Sequence, residues 1–543
     1  MNETWRLPLW GLACYVGLTT PTAPSTLSRM CEAAPALQDV GSNDVKPTNL
    51  LLLNADQHSP RILGAYGNPV VKSPNLDALA ARGTRFVNGY CPYPMCVPSR
   101  ASLATGRYPH ALGLWDNGTP YTGAEAASWG HRLTGQGHKV TTIGKLHYRS
   151  PDDPSGFPDQ RIPMHVVHLE INVYSMLRER MPPIDQRQFV LGAGPGESEY
   201  TRYDRAIADE AVRFLREEAA GHEKPWALHV SFIHPHLPLI VPEEYLALYD
   251  PDALPMPAQW RPEEWPRHPA LDLKRRSGSL DEPLDEATIR RAMAAYYAMV
   301  SFLDDNIGKV LGALDEVGLR DSTRIVYTAD HGETLAAHGI WWKENMYQES
   351  VGVPVIVAGP DIPEGKVSHT PVNATDAFPA IVEAVGAHLE PEDADLPGES
   401  LFRLAQEPDR NRLVFSEYHG HMSPSGIFMI RDGQHKYIHY VGLEPQLFDL
   451  EADPDETHDL ASEPAHASTL TSYEAKLRAI CDPDEVDRRA RAHQQARIDR
   501  QGGDAAVLAA GLLVKYTPAP DAFNPAPVPA RELEGSTLPP AGL

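Results

Sequence analysis

Between about residue 48 and about residue 405, apolar runs of strand length alternate with amphipathic segments of helix length. That alternation leaves few folds open, because strands separated by helices pair in parallel and need helices to cover the sheet. Asn49–Ala55 (NLLLLNA) reads as a buried strand. A helix with a Ser-Pro start follows at Ser73, then a strand around 85–88, a helix from Pro98, another near 124–135 and a strand at 138–143. Further on, 203–219 predicts a helix, 226–233 a strand, 285–317 a long helix, and 324–329 and 353–357 two more strands. The expected class is α/β, a mostly parallel sheet between helices.

The texture changes past residue 405. Within 406–483, short strand candidates are separated by turn residues such as Arg431-Asp432-Gly433, which predicts a smaller C-terminal antiparallel sheet subdomain with helices after it. Residues 484–543 read as a helix and then a proline-rich, extended tail. Segments 150–200 and 250–285, rich in Pro, Asp, Glu and Arg, interrupt the alternation, either as insertions bordering an active site or as plain surface loops. Ahead of the 48–405 α/β unit, residues 1–47 are an extension or a weak signal segment. The apolar stretch 8–19 is preceded only by Arg6, offset by Glu3, and lacks a clean cleavage pattern. A cytoplasmic location is therefore expected, with a periplasmic or secreted one as the alternative.

Charge excludes some partners. Lys and Arg number 48 against 73 Asp and Glu, a formal net charge of -25 that repels nucleic acid and anionic membranes. No apolar run approaches the ~18 residues needed to span a bilayer. Five cysteines, Cys14, Cys31, Cys91, Cys96 and Cys481, are too scattered for a disulfide framework or a paired-cysteine zinc site.

In an open parallel sheet, ligands gather at the carboxyl ends of the strands. Four predicted strands end in chemistry: Asp56-Gln57, Lys145-Leu146-His147, His234-Pro235-His236 and Asp330-His331. Together they suggest a hard-metal site with oxygen ligands from Asp56, Gln57 and Asp330 plus the imidazole of His331. Cys96 lies in a proline-rich loop at a predicted helix start, where backbone N–H groups favour an anion, and Arg100 follows about one turn later.

Cys96-Val97-Pro98-Ser99-Arg100, followed by Ala101-Ser102-Leu103-Ala104-Thr105-Gly106-Arg107, resembles the C-x-P-S-R formylglycine signature of type I sulfatases in the alkaline-phosphatase superfamily. Residues 49–56, Pro74-Asn75-Leu76-Asp77, Gly144-Lys145-Leu146-His147, Asp330-His331-Gly332-Glu333 and Leu447-Phe448-Asp449-Leu450 are similar to further family segments, in order, over about 48–500. The resemblance implies an alkaline-phosphatase-like fold and hydrolysis of sulfate monoesters by formylglycine made from Cys96. It implies one divalent metal on Asp56, Gln57, Asp330, His331 and the modified Cys96, Ca²⁺ with Mn²⁺ as the alternative. Gln57 and His331 replace the Asp and Asn of many arylsulfatases and resemble choline sulfatases and phosphonate monoester hydrolases.

By the same resemblance, Arg100, Lys145 and Lys343 neutralise the sulfate oxygens, and Asp330 activates the nucleophile. His236 and Lys343 serve the leaving oxygen, His147 takes the proton that releases sulfate, and Asn117 binds substrate. The segments 416–420, 431–437 and 481–483 lean toward the choline-sulfatase-like branch, for whose quaternary ammonium Trp341, Trp342, Tyr121 and Tyr347 are cage candidates. Expected partners are a small sulfate ester, a formylglycine-generating enzyme, and further copies of the chain joined through the C-terminal tail. A phosphonate monoester or phosphodiester hydrolase on the same site is the competing reading, and a non-catalytic anion-binding relative is the competing class.

Overall fold

Four consecutive leucines, Leu50, Leu51, Leu52 and Leu53, are each fully buried. Successive side chains on a strand point to opposite faces, so this pattern requires cover on both sides of the sheet. The computed structural model describes residues 46–166, 171–511 and 516–523, and supplies that cover. Expectations for the residues before Lys46, and for the tail beyond Phe523, lie outside the described residues.

The main sheet has eight strands: β1 (Asn49–Ala55), β2 (Gly83–Phe86), β3 (Val140–Lys145), β4 (Asp159–Met164), β5 (Ala227–Ser231), β6 (Thr323–Ala329), β7 (Val355–Ala358) and β8 (Lys366–Ser368). Their spatial order is β8-β2-β7-β6-β1-β5-β3-β4. Every neighbouring pair is parallel except those of β7, which runs against both β2 and β6. β4 and β8 are the two edges, and neither was visible as an apolar run. Short, half-exposed edge strands carry no such run, and Pro163 in β4 is tolerated there because an edge has N–H positions that need no partner.

Helix α1 (Cys96–Thr105) is buried along its whole length. It begins two residues earlier than Pro98, so Cys96 is itself the first helical residue, and proline fits in that first turn because the N–H it lacks would be unpaired there. Gly106 ends the helix at φ 69, donating its N–H to the Ser102 carbonyl; a Cβ there would lie 2.9 Å from that of Phe378. Helix α2 (Glu199–Glu217) opens on a Ser198–Thr201 capping box, and α3 (Glu286–Glu316) on Asp285, which accepts the Thr288 N–H at 2.8 Å. α2 and α3 pack against each other over the sheet.

Four antiparallel strands, β9 (Val414–Tyr418), β10 (Ile427–Arg431), β11 (His435–Tyr440) and β12 (Gln446–Asp449), form the smaller sheet in sequence order. Its apolar face (Phe415, Phe428, Ile430, Leu447) packs with Tyr473 and Leu477 of α4 (Ala467–Ile480) and Val486 of α5 (Pro483–Arg500). Glu417 of β9 donates its N–H to the Pro92 carbonyl at 3.0 Å, and Tyr93 accepts the His419 N–H at 2.8 Å. These bonds hold the small sheet against the loop that leads into Cys96. No described helix is long and apolar enough to cross a membrane.

Candidate active site

The four strands whose ends carry chemistry, β6, β1, β5 and β3, are consecutive neighbours in the sheet and all run the same way. Asp330-His331, Asp56-Gln57, His236 and Lys145-His147 therefore emerge side by side on one rim, as a parallel sheet requires. A bulge at Gly144 (φ 96) sets the last residues of β3, and a Cβ there would lie 2.2 Å from the Ser231 carbonyl oxygen. Gln57, His147, Trp342 and Glu344 all sit in the left-handed region, with φ of 66, 60, 67 and 69. For non-glycine residues that costs about 1–3 kcal/mol each, and such strain collects at functional sites.

Cys96, at the start of α1, lies in the middle of this rim and is 2 % exposed. Its Sγ is 3.3 Å from His331 Nε2 and 3.7 Å from Asp56 Oδ1, and two ammonium groups flank it, Lys343 Nζ at 3.5 Å and Lys145 Nζ at 3.9 Å. One ligand-type atom each from Asp56, Cys96, Asp330 and His331 falls within 4.8 Å of the others. The His331 Nδ1 is 3.1 Å from its own Gly332 carbonyl, which leaves Nε2 as the lone pair facing both carboxylates. Burial, only partly opposed by Asp330, holds His331 down at about 4, so it is neutral and ready to ligate. Burial works against Asp56 ionising, yet the positive charges of Lys145 and Arg100 hold its carboxyl well below the usual range. Two buried carboxylates and a neutral imidazole around one point are a donor set that suits a divalent cation.

Arg100 is placed differently from the expectation that it grips the substrate. Its Nε donates to Asp330 Oδ2 at 2.8 Å, Nη2 to Asp56 Oδ2 at 3.0 Å, and Nη1 to the Lys145 carbonyl and Ser231 Oγ at 2.7 and 2.8 Å. With these bonds made, it sits beneath Cys96 and does not line the cavity. Lys145 also pairs with Asp56 Oδ2, at 2.5 Å.

Glu333 was not singled out from sequence, although it belongs to the Asp330-His331-Gly332-Glu333 segment. Its Oε1 accepts the N–H groups of Leu335 and Trp342 at 2.7 and 2.8 Å, and its Oε2 accepts Gln57 Nε2 at 2.5 Å. The amide of Gln57 is thereby oriented: its NH₂ faces Glu333, and its Oε1 turns to Lys343 Nζ at 2.7 Å.

A cavity of about 390 Å³ opens above Cys96. Lys145, His147, His236, Lys343 and Asn117 line its floor, while Met181, Ile184, Phe189, Trp342 and Tyr516 line its outer part. Segment 150–200 thus borders the site through residues 175–189. Asn117 Oδ1 accepts the Val97 N–H at 3.2 Å, and Gly118 N–H closes a turn on Asp116 Oδ1, so Asn117 both caps α1 and faces the cavity. Of the four cage candidates only Trp342 lines the cavity: Trp341 lies in a separate hollow, Tyr121 packs on Tyr148, and Tyr347 packs on His338. Phe189 and Tyr516 line the cavity as well, and neither had a sequence signal, since both sit in segments without periodicity. His147 Nε2 is 2.8 Å from Thr517 Oγ1, and the Thr517 carbonyl accepts Tyr200 OH at 2.5 Å.

A buried cysteine ringed by carboxylates, imidazoles and ammonium groups lies on the carboxyl rim of this sheet, and the chain is an ester hydrolase with the alkaline-phosphatase fold. The chain belongs to the Sulfatase family, whose model matches residues 48–387, and it is a sulfuric ester hydrolase. A model for the C-terminal part of N-sulphoglucosamine sulphohydrolase matches residues 336–482. The chain is 31% identical to choline-sulfatase of Rhizobium meliloti (strain 1021) over 468 residues, 83% of this chain and 90% of that one. It is 29% identical to arylsulfatase K of Bos taurus, over 80% of this chain and 81% of the relative. The phosphonate monoester hydrolase of Agrobacterium radiobacter superposes with a TM-score of 0.65 at 27% identity, covering 82% of this chain and 96% of that one.

Proposed function

We propose that the protein hydrolyses small sulfate monoesters with a formylglycine nucleophile made from Cys96, on a divalent metal held by Asp56, Gln57, Asp330 and His331. The observation that carries this is Cys96 Sγ at the centre of the carboxylate–imidazole group with two ammonium groups within 3.9 Å. As a thiol, Cys96 is a poor nucleophile, because burial and then Asp56 push it up to about 11. Conversion to the hydrated aldehyde supplies an oxygen nucleophile at the same place. The metal, Ca²⁺ with Mn²⁺ as the alternative, supplies Lewis-acid neutralisation of charge when bound.

The chain's own groups do the rest. Lys145 and Lys343 face the cavity and neutralise sulfate oxygens, whose charge would otherwise repel a nucleophile. Burial, then Lys343, holds His236 well below its ordinary value, and burial, then Lys145, does the same to His147. Both are neutral at neutral pH until an anionic ester arrives, whose charge raises them. His147 is then a proton acceptor, while His236 and Lys343 stand at the leaving oxygen. The Phe189, Trp342 and Tyr516 rings favour a leaving alcohol with an aromatic or quaternary ammonium group, such as choline.

Relative rates on a sulfate and a phosphonate ester of the same alcohol test the reading, and a higher kcat/KM on the phosphonate would overturn it. The likeness to phosphonate monoester hydrolase makes that the second reading. Mass spectrometry of the Cys96 peptide from the native source should show the aldehyde or its hydrate.

Glu333→Gln should weaken metal binding about 10- to 100-fold with the fold retained, because a neutral amide cannot accept from Gln57 and both backbone N–H groups together. Equilibrium dialysis against Ca²⁺ reads this, and unchanged affinity would remove Glu333 from the account. Truncation after Gly511 removes Tyr516 and Thr517, so it should raise KM for the ester by roughly tenfold or more. We extend the tail's role to assembly, so the same truncation should shift the oligomer to smaller species in light scattering.

A further inference from the structure

Away from the catalytic rim, His338, Glu349 and Glu456 each bring one ligand-type atom to within 4.8 Å of the others, all three side chains being buried. They come from distant stretches: a tight turn after β6 (Ala337–Gly339, His338 at φ 57), the short helix Gln348–Val351, and the loop after β12.

The state of the His338 ring follows from its neighbours. Gln259 donates Nε2 to the Thr457 carbonyl at 3.2 Å, which fixes its amide so that Oε1 faces His338 Nδ1 at 2.9 Å. A carbonyl oxygen there requires Nδ1 to carry the proton. Contact with the tilted Tyr347 ring, with centroids 4.2 Å apart, holds the ring in this orientation. Nε2 then points into the cluster without a hydrogen-bond partner, 3.6 Å from Glu349 Oε2, which has none either.

A lone pair facing a carboxylate oxygen in a buried place is repulsive unless a proton or a metal cation lies between them. At 3.6 Å the pair is too far apart for a good hydrogen bond, which runs to about 3.2 Å. It is close to the separation of about 3.4 Å between two ligands bound tetrahedrally at about 2.0–2.1 Å each. The remaining carboxylate oxygen of Glu349 is held by Arg61 Nε at 3.2 Å. Glu456 Oε2 accepts the Gln348 N–H at 2.6 Å, and its Oε1 has Lys436 Nζ at 2.7 Å, which leaves that oxygen a second lone pair. A histidine whose far nitrogen donates to a fixed oxygen, with carboxylates braced by their own partners, has the supporting contacts of a metal ligand.

We propose that His338, Glu349 and Glu456 form a second, structural site for a first-row divalent cation of the zinc type. It would tie the segment between His331 and Glu349, which carries Lys343, to the small-sheet subdomain. Chelator-treated full-length protein dialysed against Zn²⁺ should hold one more ion per chain than either His338→Ala or Glu456→Gln. Zinc should also raise the Tm of the parent protein more than that of either variant. Glu456→Gln preserves shape and so covers the case in which losing the packed ring unfolds the protein. Equal zinc content in parent and Glu456→Gln, with Glu349→Gln also unchanged, would overturn the proposal and leave a proton between His338 and Glu349. The proposal is independent of the catalytic metal: if the rim binds no ion, the parent still holds one and the variants none.

Discussion

Cys96→Ala will fold normally and lose sulfate ester hydrolysis by on the order of 10⁴-fold or more in kcat/KM, the scale seen when a covalent nucleophile is removed. Folding survives because the change deletes a single sulfur from a helix whose other contacts stay: Ser99 Oγ still donates to the Asp330 carbonyl at 2.5 Å and Asn117 still caps Val97. Initial rates on a chromogenic sulfate ester, with a thermal melt alongside, read both parts. Residual activity above about one per cent would mean that catalysis does not pass through Cys96.

Arg100→Met will cost stability as well as activity. The Arg100 guanidinium bonds both Asp56 and Asp330, and all three are buried. Removing it leaves Asp56 with the Lys145 ammonium, while Asp330 keeps the N–H groups of Gln57 and His331 and the nearby His331 ring but no paired cation among the described residues. Breaking a buried ion pair from one side typically costs about 3–5 kcal/mol, and that loss should appear in urea denaturation of chelator-treated protein. Arg100→Lys should recover only part of it, because an ammonium cannot span two carboxylates, a carbonyl and a hydroxyl in one plane. A denaturation midpoint unchanged in Arg100→Met would show that the two carboxylates are not held by this guanidinium.

What the sequence disclosed and what it hid follow from the same physics. Central strands such as β1 and β6 are buried on both faces and hold apolar runs that stand out in the sequence, and the residues just past them, Asp56 and Asp330, fall on one rim. Edge strands β4 and β8 are short and half-wet, so periodicity does not mark them. Motif spacing identified the charged groups but not their direction. Arg100 was assigned to the substrate because it lies one turn after Cys96, whereas its side chain turns down to four acceptors. Glu333 and Tyr516 act through tertiary contacts hundreds of residues apart in sequence, to Gln57 and to Tyr200 and Phe189, and no local pattern records such contacts.

The burial of α1 also sets an order of events. A thiol 2 % exposed, at the head of a helix with every residue enclosed, is out of reach of another protein's catalytic groups once the sheet has closed over it. On the mechanism proposed above, oxidation of Cys96 by a maturation enzyme would take place on the nascent or unfolded chain, in competition with folding itself. Under that proposal, chains that fold first stay unmodified and inert, and the specific activity of a preparation should depend on how fast it was synthesised.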